Sequence, residues 1–338
     1  MDLAARPAVT LPKAEPAKYA DSMAKVKSER HHWWPECVSQ YWADSEGGVH
    51  WLLPSGEVRR ATPNNFGVIG NGHLIKLGND PTVGSGWDTS FEPEFQKADN
   101  NFPKIIEWLN SLYRCDPPFE RSVSSRLVVN PVVDEQFAEL IECLVSLAAR
   151  SPMHREQGVA LAEELGGPLP ERERNSLIGA NIQRALRNAV RNLGGRGKAM
   201  VIFSPEREFI FGDGFYQNLT VQGEYWHHPK LLAPLTPWMS VLFTRPVGYS
   251  TEPRLVTMVA NEAETDALNY AVQVYARNML FYRSERPQVD EAFTCGRHKI
   301  FANDRNLIDR LIYEIPGVPP RDPNKDAMID LLERYSER

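Results

Sequence analysis

The sequence predicts an α+β fold from three features of its pattern. Short β-rich runs are bounded by turn residues, longer segments repeat apolar residues at helical spacing, and the two types alternate irregularly. A regular βαβ series would instead alternate strand and helix along the whole chain. We expect one large mixed domain over residues 29–338, with a helical excursion at 156–195. Residues 1–28 are rich in Ala, Pro and Lys, and they predict a flexible tail.

The first half of the chain predicts short strands followed by long helices. VHWLL and HLIKL are strand-like and stand beside turn-forming tripeptides such as PSG and GNG. In PKIIEWLNSLY the apolar residues share one helical face, and Pro103 suits an early helical position. The clearest helix is VVDEQFAELIECLVSLAAR, in which Asp134 near the start and Arg150 at the end complement the helix dipole. A third helix, ERNSLIGANIQRALRNAVRNL, is expected to end at Gly194.

The second half predicts more strands and one further helix. AMVIFSPEREFIFGDGF contains two β-rich runs, at 200–203 and 208–211, around a turn-forming SPER, which predicts a hairpin. PWMSVLFTRP and RLVTMVA predict two further strands. NEAETDALNYAVQVYARNMLFY predicts a helix, with Asn261 as its N-cap and Glu264 in the position of a capping-box partner.

Composition limits the classes of function. The net charge of −6 and pI near 5.8 argue against broad binding to nucleic acid or to a membrane surface. They are compatible with a local basic cleft. No apolar run approaches the roughly 20 residues that span a bilayer, and the N-terminus lacks the apolar core of a secretory signal. The four cysteines are widely spaced without a CxxC pair. We therefore expect a reduced, cytoplasmic protein with no membrane partner.

The common catalytic and cofactor motifs are not present in the sequence. It contains no GxxxxGK[ST] loop, no GxSxG elbow and no HExxH helix. The glycine-rich GVIGNGHLIKLGND does not have the spacing of a dinucleotide-binding loop, so we expect turns there. We predict no cofactor and no bound metal.

The stretch RHHWWPECVSQYW sets two histidines beside two tryptophans, and it allows a metal site, a catalytic histidine or an aromatic core. A metal site would need His32, one of His227 and His228, and distant carboxylates to converge. Neighbouring histidines in an extended segment point to opposite sides, which favours a role in an aromatic cluster over a metal site. We expect His32 to carry chemistry and His31 to face solvent.

The tryptophans of this stretch, Trp33, Trp34 and Trp42, are expected to form core or pocket walls, because each brings a large apolar area.

Five short motifs are spread over residues 30–285. They are HWWP at 32–35, which begins with His32, RSPMHRE at 150–156, IFGD at 210–213, PLTP at 234–237, and a predicted helix that contains Asn269. In order and spacing they resemble the HxxP, RTPxxRE, Ser-Asp-Asn-Pro, PLSP and Asn-helix motifs of the bacterial domain-of-unknown-function family 4238. Gly212 stands where the family has Ser, and Gly214-Phe215 stand where it has Asn-Pro. The resemblance implies no activity, because none is established for the family.

The same residue types suit the binding and cleavage of an anionic ester. We assign His32 and Asp213 as catalytic residues, because imidazole transfers protons near neutral pH and a carboxylate can orient it. Arg150, Arg155 and Asn269 are assigned to substrate binding, since guanidinium groups bind phosphate in a bidentate manner. These roles predict a metal-independent phosphoester hydrolase acting on nucleic acid or a nucleotide, with a toxin-like or phage-defence role.

The alternative is that these polar residues are structural, in a non-catalytic module that binds a protein or small ligand. Arg150 would then pair with Asp213, His32 would bond a backbone carbonyl, and Asn269 would tie a loop to its helix. Buried polar groups need such partners, because each one left unpaired costs about 1–3 kcal/mol. Convergence of the side chains around an open cleft would favour the enzyme.

Overall fold

The fold was obtained as a computed structural model, which describes residues 30–70, 73–75, 89–115, 122–219, 228–246, 248–296 and 307–320. The predicted tail at 1–28, the end of the HLIKL run and His227 lie outside the described residues.

Helices make up much of the described chain. In chain order they are α1 Glu36–Ser39, α2 Glu92–Asn110, α3 Val123–Arg126, α4 Asp134–Arg150, α5 Pro152–Gly166, α6 Glu171–Leu193, α7 Glu262–Tyr275, α8 Glu291–Thr294 and α9 Leu307–Glu314. Short 3-10 turns lie at Gln40–Trp42 and Pro63–Asn65. Within the described ranges, none of the helices combines the length and the apolar character that crossing a membrane requires.

The strands are short and belong to separate sheets. In chain order they are β1 Arg30–His32, β2 Val49–Leu52, β3 Val58–Ala61, β4 Val68–Gly70, β5 Leu74–Ile75, β6 Thr89–Ser90, β7 Val128–Asn130, β8 Lys198–Phe203, β9 Phe211–Gly212, β10 Lys230–Thr236, β11 Met239–Thr244, β12 Leu255–Val259 and β13 Leu280–Tyr282. One sheet has the order β10-β11-β8-β12-β7 and another β3-β2-β13-β9, while β1-β4 and β5-β6 form pairs. Pairing is antiparallel except between β8 and β12. The α+β prediction is confirmed.

The helical part of the core is built on α4. Its apolar stripe, which includes Phe137, Leu140 and Leu144, is buried where α4 packs against α2 and α6. Burying one such side chain contributes about 1.5–3 kcal/mol. The predicted C-terminal ends of both helices are confirmed, because α4 ends at Arg150 and α6 ends before Gly194, whose φ of +51° suits glycine.

An aromatic cluster forms the second part of the core. Trp34 stacks on Phe211 with ring centroids 4.1 Å apart, and Trp42 meets the same ring edge-on at 4.6 Å. The indole N–H of Trp42 donates to the carbonyl of Leu235 at 3.1 Å. Trp33 is also buried, at 5% exposure. The prediction that these tryptophans are core aromatics is confirmed.

Pro103 lies inside α2 and not near its start, so the expected helix boundary is wrong. The helix begins eleven residues earlier, at Glu92, with Pro93 in its first turn. Proline lacks the N–H that would bond the carbonyl four residues back, which is that of Asp99. The thiol of Cys37 donates to this carbonyl at 3.3 Å. A partner from α1 thus compensates for the missing helical bond.

The predicted hairpin at 200–211 is also wrong. β8 lies between β11 and β12 in the five-stranded sheet, while β9 pairs with β13 in the four-stranded sheet. Because both edges of β8 are occupied, the following segment crosses to the other sheet. Ser204 and Phe209 anchor this crossing by donating their N–H groups to the carbonyls of Trp238 and Pro237.

The last long helix is shorter than predicted. The capping box is confirmed, with reciprocal bonds between Asn261 and Glu264. The helix ends at Tyr275, and β13 follows, paired with β2 on one side and β9 on the other. Pairing on both edges of β13 outweighs the local helical periodicity.

Candidate functional site

The two neighbouring histidines of β1 face opposite ways, and the expected exposure of His31 is wrong. His31 is 3% exposed, whereas His32 is half-buried. The Nε2 atom of His32 lies 3.2 Å from the carbonyl oxygen of Asn64. This is the backbone contact expected if His32 is structural. Because side chains alternate along a strand, the pairing of β1 with β4 turns His31 into the protein.

Arg150 is fully buried, and its partner is Asp99 rather than Asp213. Nη1 donates to Oδ2 of Asp99 at 3.1 Å, and Nη2 donates to Oδ1 and to the Ser146 hydroxyl. Nη1 also lies 3.4 Å from the carbonyl of His32. The pairing of Arg150 with Asp213 that the structural alternative predicts is therefore wrong, because the α2 carboxylate reaches the guanidinium instead.

Asp213 binds backbone groups. Its two carboxylate oxygens accept the N–H groups of Arg277 and Asn278 at 2.8 and 3.0 Å. Burial raises the pKa of the Asp213 carboxyl above its usual value, and these backbone bonds oppose the rise. The side chain therefore ties the end of β9 to the turn after α7.

Asn269 binds the crossing segment before β9. Its Oδ1 accepts the N–H of Ile210 at 3.0 Å, and its Nδ2 donates to the carbonyl of Glu208 at 2.9 Å. This contact matches the loop-to-helix tie of the structural alternative.

Arg155 is half-buried on α5. Burial lowers the pKa of its guanidinium to about 10, with the nearby charge of Arg174 acting in the same direction.

Of the five sequence-predicted residues, Arg150 and Arg155 lie on α4 and α5, and His32 and Asp213 contact these helices, whereas Asn269 binds the segment before β9. His32 and Arg150 meet through the His32 carbonyl, and the Asp213 carbonyl accepts the N–H of Met153 at 3.2 Å. Arg150, Asp213 and Asn269 direct their side chains to partners inside the protein. Their catalytic and substrate-binding roles stay predictions.

Gly212 and Gly214 both lie where a side chain would meet neighbouring atoms. A Cβ atom at Gly212 would lie 2.6 Å from the Cβ of Ala276, which leaves no room for a serine. A Cβ atom at Gly214 would lie 2.3 Å from the carbonyl oxygen of Tyr275 and 2.4 Å from Cγ of Met153. The close approach of α5 and α7 to this loop therefore requires glycine.

A second group of polar residues lies on the buried side of β1, and we call it the inner polar cluster. It is formed by His31 of β1, His73 just before β5, Glu92 and Asp99 of α2, and Arg150 of α4. His73 is bonded to Glu92 through Nδ1, and the two histidine rings are 5.0 Å apart between centroids. Phe95 packs against His73 at 4.8 Å and against the Arg150 guanidinium at 4.7 Å.

The hydrogen bonds of the cluster assign the tautomers of both imidazoles. The backbone N–H of His73 donates to Nδ1 of His31 at 3.3 Å, so this nitrogen carries a lone pair and Nε2 carries the proton. An ionised carboxylate only accepts, so Nδ1 of His73 carries the proton that Glu92 accepts. In the neutral state His73 therefore presents Nε2 as an acceptor, while His31 presents Nε2–H as a donor.

The electrostatics support a neutral His73 beside an ionised Glu92. Burial lowers the pKa of His73 below its usual value, and the bond to Glu92 opposes this without overcoming it. For Glu92, burial raises the pKa, but the bond from His73 and the nearby charges outweigh it, so the net pKa is lowered. Burial also raises the pKa of Cys37 to about 11, which keeps this neighbouring thiol protonated at neutral pH.

Sequence reasoning missed His73, Glu92 and Asp99, although a signal for two of them exists. Glu92 and Asp99 are seven residues apart, a spacing that places them on one helical face with buried Phe95. The sequence analysis missed this helical face because it predicted that the helix begins near Pro103, after both residues. No local pattern links His73 to this helix.

Neither a metal-binding group nor a similar known protein assigns a role to these residues. Among the described residues, no group of three or more His, Cys, Asp or Glu side chains is arranged to hold a metal ion. No protein-family model, no curated protein and no solved structure matches the chain. The resemblance to family 4238 therefore rests on the five motifs alone.

Proposed function

We propose that the chain is a hydrolase that uses general acid–base chemistry, with His73 as the base and Glu92 as the residue that orients it. The observation that carries this proposal is the bond between the Glu92 carboxylate and Nδ1 of His73, which leaves Nε2 as an acceptor. This arrangement supplies the acid–base pair that the sequence analysis assigned to His32 and Asp213, at a different place in the fold.

The proposed reaction needs a water molecule at Nε2 of His73. The water gives a proton to Nε2 as its oxygen forms a bond to the electrophilic atom of the substrate. Glu92 stabilises the resulting imidazolium through the Nδ1–H bond. The imidazolium then returns the proton to the leaving group as that bond breaks, so neither protons nor electrons are left over.

Two observations favour the second candidate, a non-catalytic binding module. His73 and His31 are only 1% and 3% exposed, so a substrate must reach a nearly closed cluster. Asp213 and Asn269 are bonded to backbone groups, which is the structural role described above. In this case the cluster stabilises the packing of β1 on α2 and α4 and performs no reaction.

The test compares His73→Asn with His50→Asn. Asparagine places an N–H donor near the position of Nδ1 and has no counterpart of Nε2, so His73→Asn preserves the bond to Glu92 and removes the base. His50 is a matched control, because its Nδ1 bonds the Arg283 carbonyl at 2.9 Å and its Nε2 lies 3.5 Å from the Asp44 carboxylate.

The substrates are mixed RNA, DNA and nucleotides, bis(p-nitrophenyl) phosphate and simple carboxylic esters. We expect His73→Asn to lower turnover by roughly 10²–10⁴ and His50→Asn to leave it near wild type. Equal turnover by wild type and His73→Asn on every substrate, with both proteins folded, would favour the binding module.

A further inference from the structure

The exposed polar surface of the inner polar cluster consists of carboxylates. The side chains of Glu92 and Asp99 are 42% and 28% exposed, whereas Arg150 is fully buried and His73 is 1% exposed. The Arg150 charge is also paired with Asp99 behind this surface. A ligand that approaches from solvent therefore meets negative charge first.

The carboxylates of the cluster outnumber its guanidinium. Two carboxylates and one guanidinium leave a net charge of −1 while the imidazoles are neutral. Two cations of α2 and α6 are paired with other carboxylates, Lys97 with Glu142 and Arg187 with Glu94. Glu92 is ionised at neutral pH, since its pKa lies below the usual range.

We propose that the substrate of this hydrolase carries a positive charge that lies against the Glu92 carboxylate, with its scissile bond near Nε2 of His73. Glu92 binds the opposite ring nitrogen, so the charge and the reacting atom are separated by about the width of one imidazole. An ester or amide bearing an ammonium or guanidinium group fits this arrangement. The inference rests on the proposed hydrolase function, and it differs from the phosphoester expected from sequence because a phosphate anion beside Glu92 is repelled.

The first test uses acetylcholine and its uncharged isostere 3,3-dimethylbutyl acetate as probes. They have nearly the same shape and differ in charge, and their rates are normalised to alkaline hydrolysis. We expect kcat/KM to be about tenfold higher for the cation, which is the range of a partly exposed ion pair. Glu92→Gln should bring the ratio close to one. Glu94→Gln removes a negative charge from the same helix outside the cluster and should preserve the ratio.

The second test measures binding without turnover. The ring signals of His73 are followed by NMR during titration with tetramethylammonium or inorganic phosphate. We expect shifts with tetramethylammonium in wild type, none in Glu92→Gln, and none with phosphate in either protein.

The two tests separate the two proposals. Shifts with tetramethylammonium but no hydrolysis above His73→Asn would overturn the hydrolase and preserve the cation site. Hydrolysis with a ratio near one, a ratio unaffected by Glu92→Gln, or a preference for bis(p-nitrophenyl) phosphate would overturn the substrate charge and preserve the hydrolase. No hydrolysis together with no tetramethylammonium shift would overturn both.

Discussion

The fully buried guanidinium of Arg150 on α4 is paired with both oxygens of the Asp99 carboxylate on α2. The same guanidinium lies 3.4 Å from the carbonyl of His32 on β1. One side chain thus connects two core helices to the strand that carries His31. The inner polar cluster depends on this connection for its geometry.

Removing the carboxylate of this pair should destabilise the fold strongly. In Asp99→Asn the guanidinium stays buried without a charged partner, a change that typically costs about 3–5 kcal/mol. The matched control is Lys97→Ala, which breaks the exposed pair with Glu142 and should cost less than about 1 kcal/mol. Urea unfolding measures both variants. Equal, small losses would show that the Arg150 pair contributes little.

Asn269 should behave as a structural residue. Asn269→Ala leaves the N–H of Ile210 and the carbonyl of Glu208 without their side-chain partner, and it should lower the unfolding free energy by about 2–3 kcal/mol. Tyr270→Ala, at the next and 51% exposed position, should change it by about 0.5 kcal/mol or less. Thermal unfolding measures the difference. A loss of turnover in Asn269→Ala at unchanged stability would instead support the substrate-binding role predicted from sequence.

Two glycine substitutions should have opposite effects. Gly214→Ala brings a Cβ to 2.3 Å from the Tyr275 carbonyl, and because backbone atoms must shift, we expect a loss of about 1–3 kcal/mol or more. Gly166→Ala, at the end of α5, adds a Cβ that meets nothing within 4 Å and should be neutral or stabilising by up to about 1 kcal/mol. Melting temperatures of the two variants against wild type check the signs. A tolerated Gly214→Ala would contradict the steric requirement for glycine at this position.

His154 should make the fold sensitive to acid. Burial, with the charge of Arg155, lowers the pKa of His154 to about 4 from its ordinary value near 6.5. The unfolded chain binds a proton as the pH falls below 6.5, and the folded chain does not until about pH 4. Stability from this group is therefore complete above that window and falls by roughly 3 kcal/mol by pH 4.

The variant that isolates this effect is His154→Leu. Denaturant unfolding between pH 7 and pH 4.5 should show a shallower loss of stability in His154→Leu than in wild type. Parallel curves for the two proteins would mean that another group controls the acid response. Substitution of exposed Glu156 by Gln, two residues further along α5, serves as a control for a general change in charge.

The prediction of one domain can be tested by unfolding. Residues 156–195 form most of α5 and α6, and α6 packs on α4 and near β5. If the helical excursion is part of the same core, fluorescence and far-ultraviolet circular dichroism should report one denaturant midpoint. Two separate midpoints would indicate independent units.

By itself the sequence determined the helices whose signals are local. The end of α4 at Arg150, the end of α6 before Gly194 and the capping box of Asn261 and Glu264 depend on residues within a few positions of one another. Periodicity, caps and the helix dipole act over one or two turns. It also predicted Trp33, Trp34 and Trp42 as core or pocket-wall aromatics, because each brings a large apolar area, and all three are buried.

The tertiary structure decided what depends on distant partners. Pro103 is tolerated inside α2 because Cys37 donates to the carbonyl that proline leaves unpaired, and β8 and β9 separate because different strands pair with each. The choice between His31 and His32 depends on which face of β1 the pairing with β4 turns inward. Side chains alternate between the two faces of a strand, so the sequence does not show which of two neighbouring histidines faces inward. Only the packing of β1 on the remainder of the fold distinguishes them.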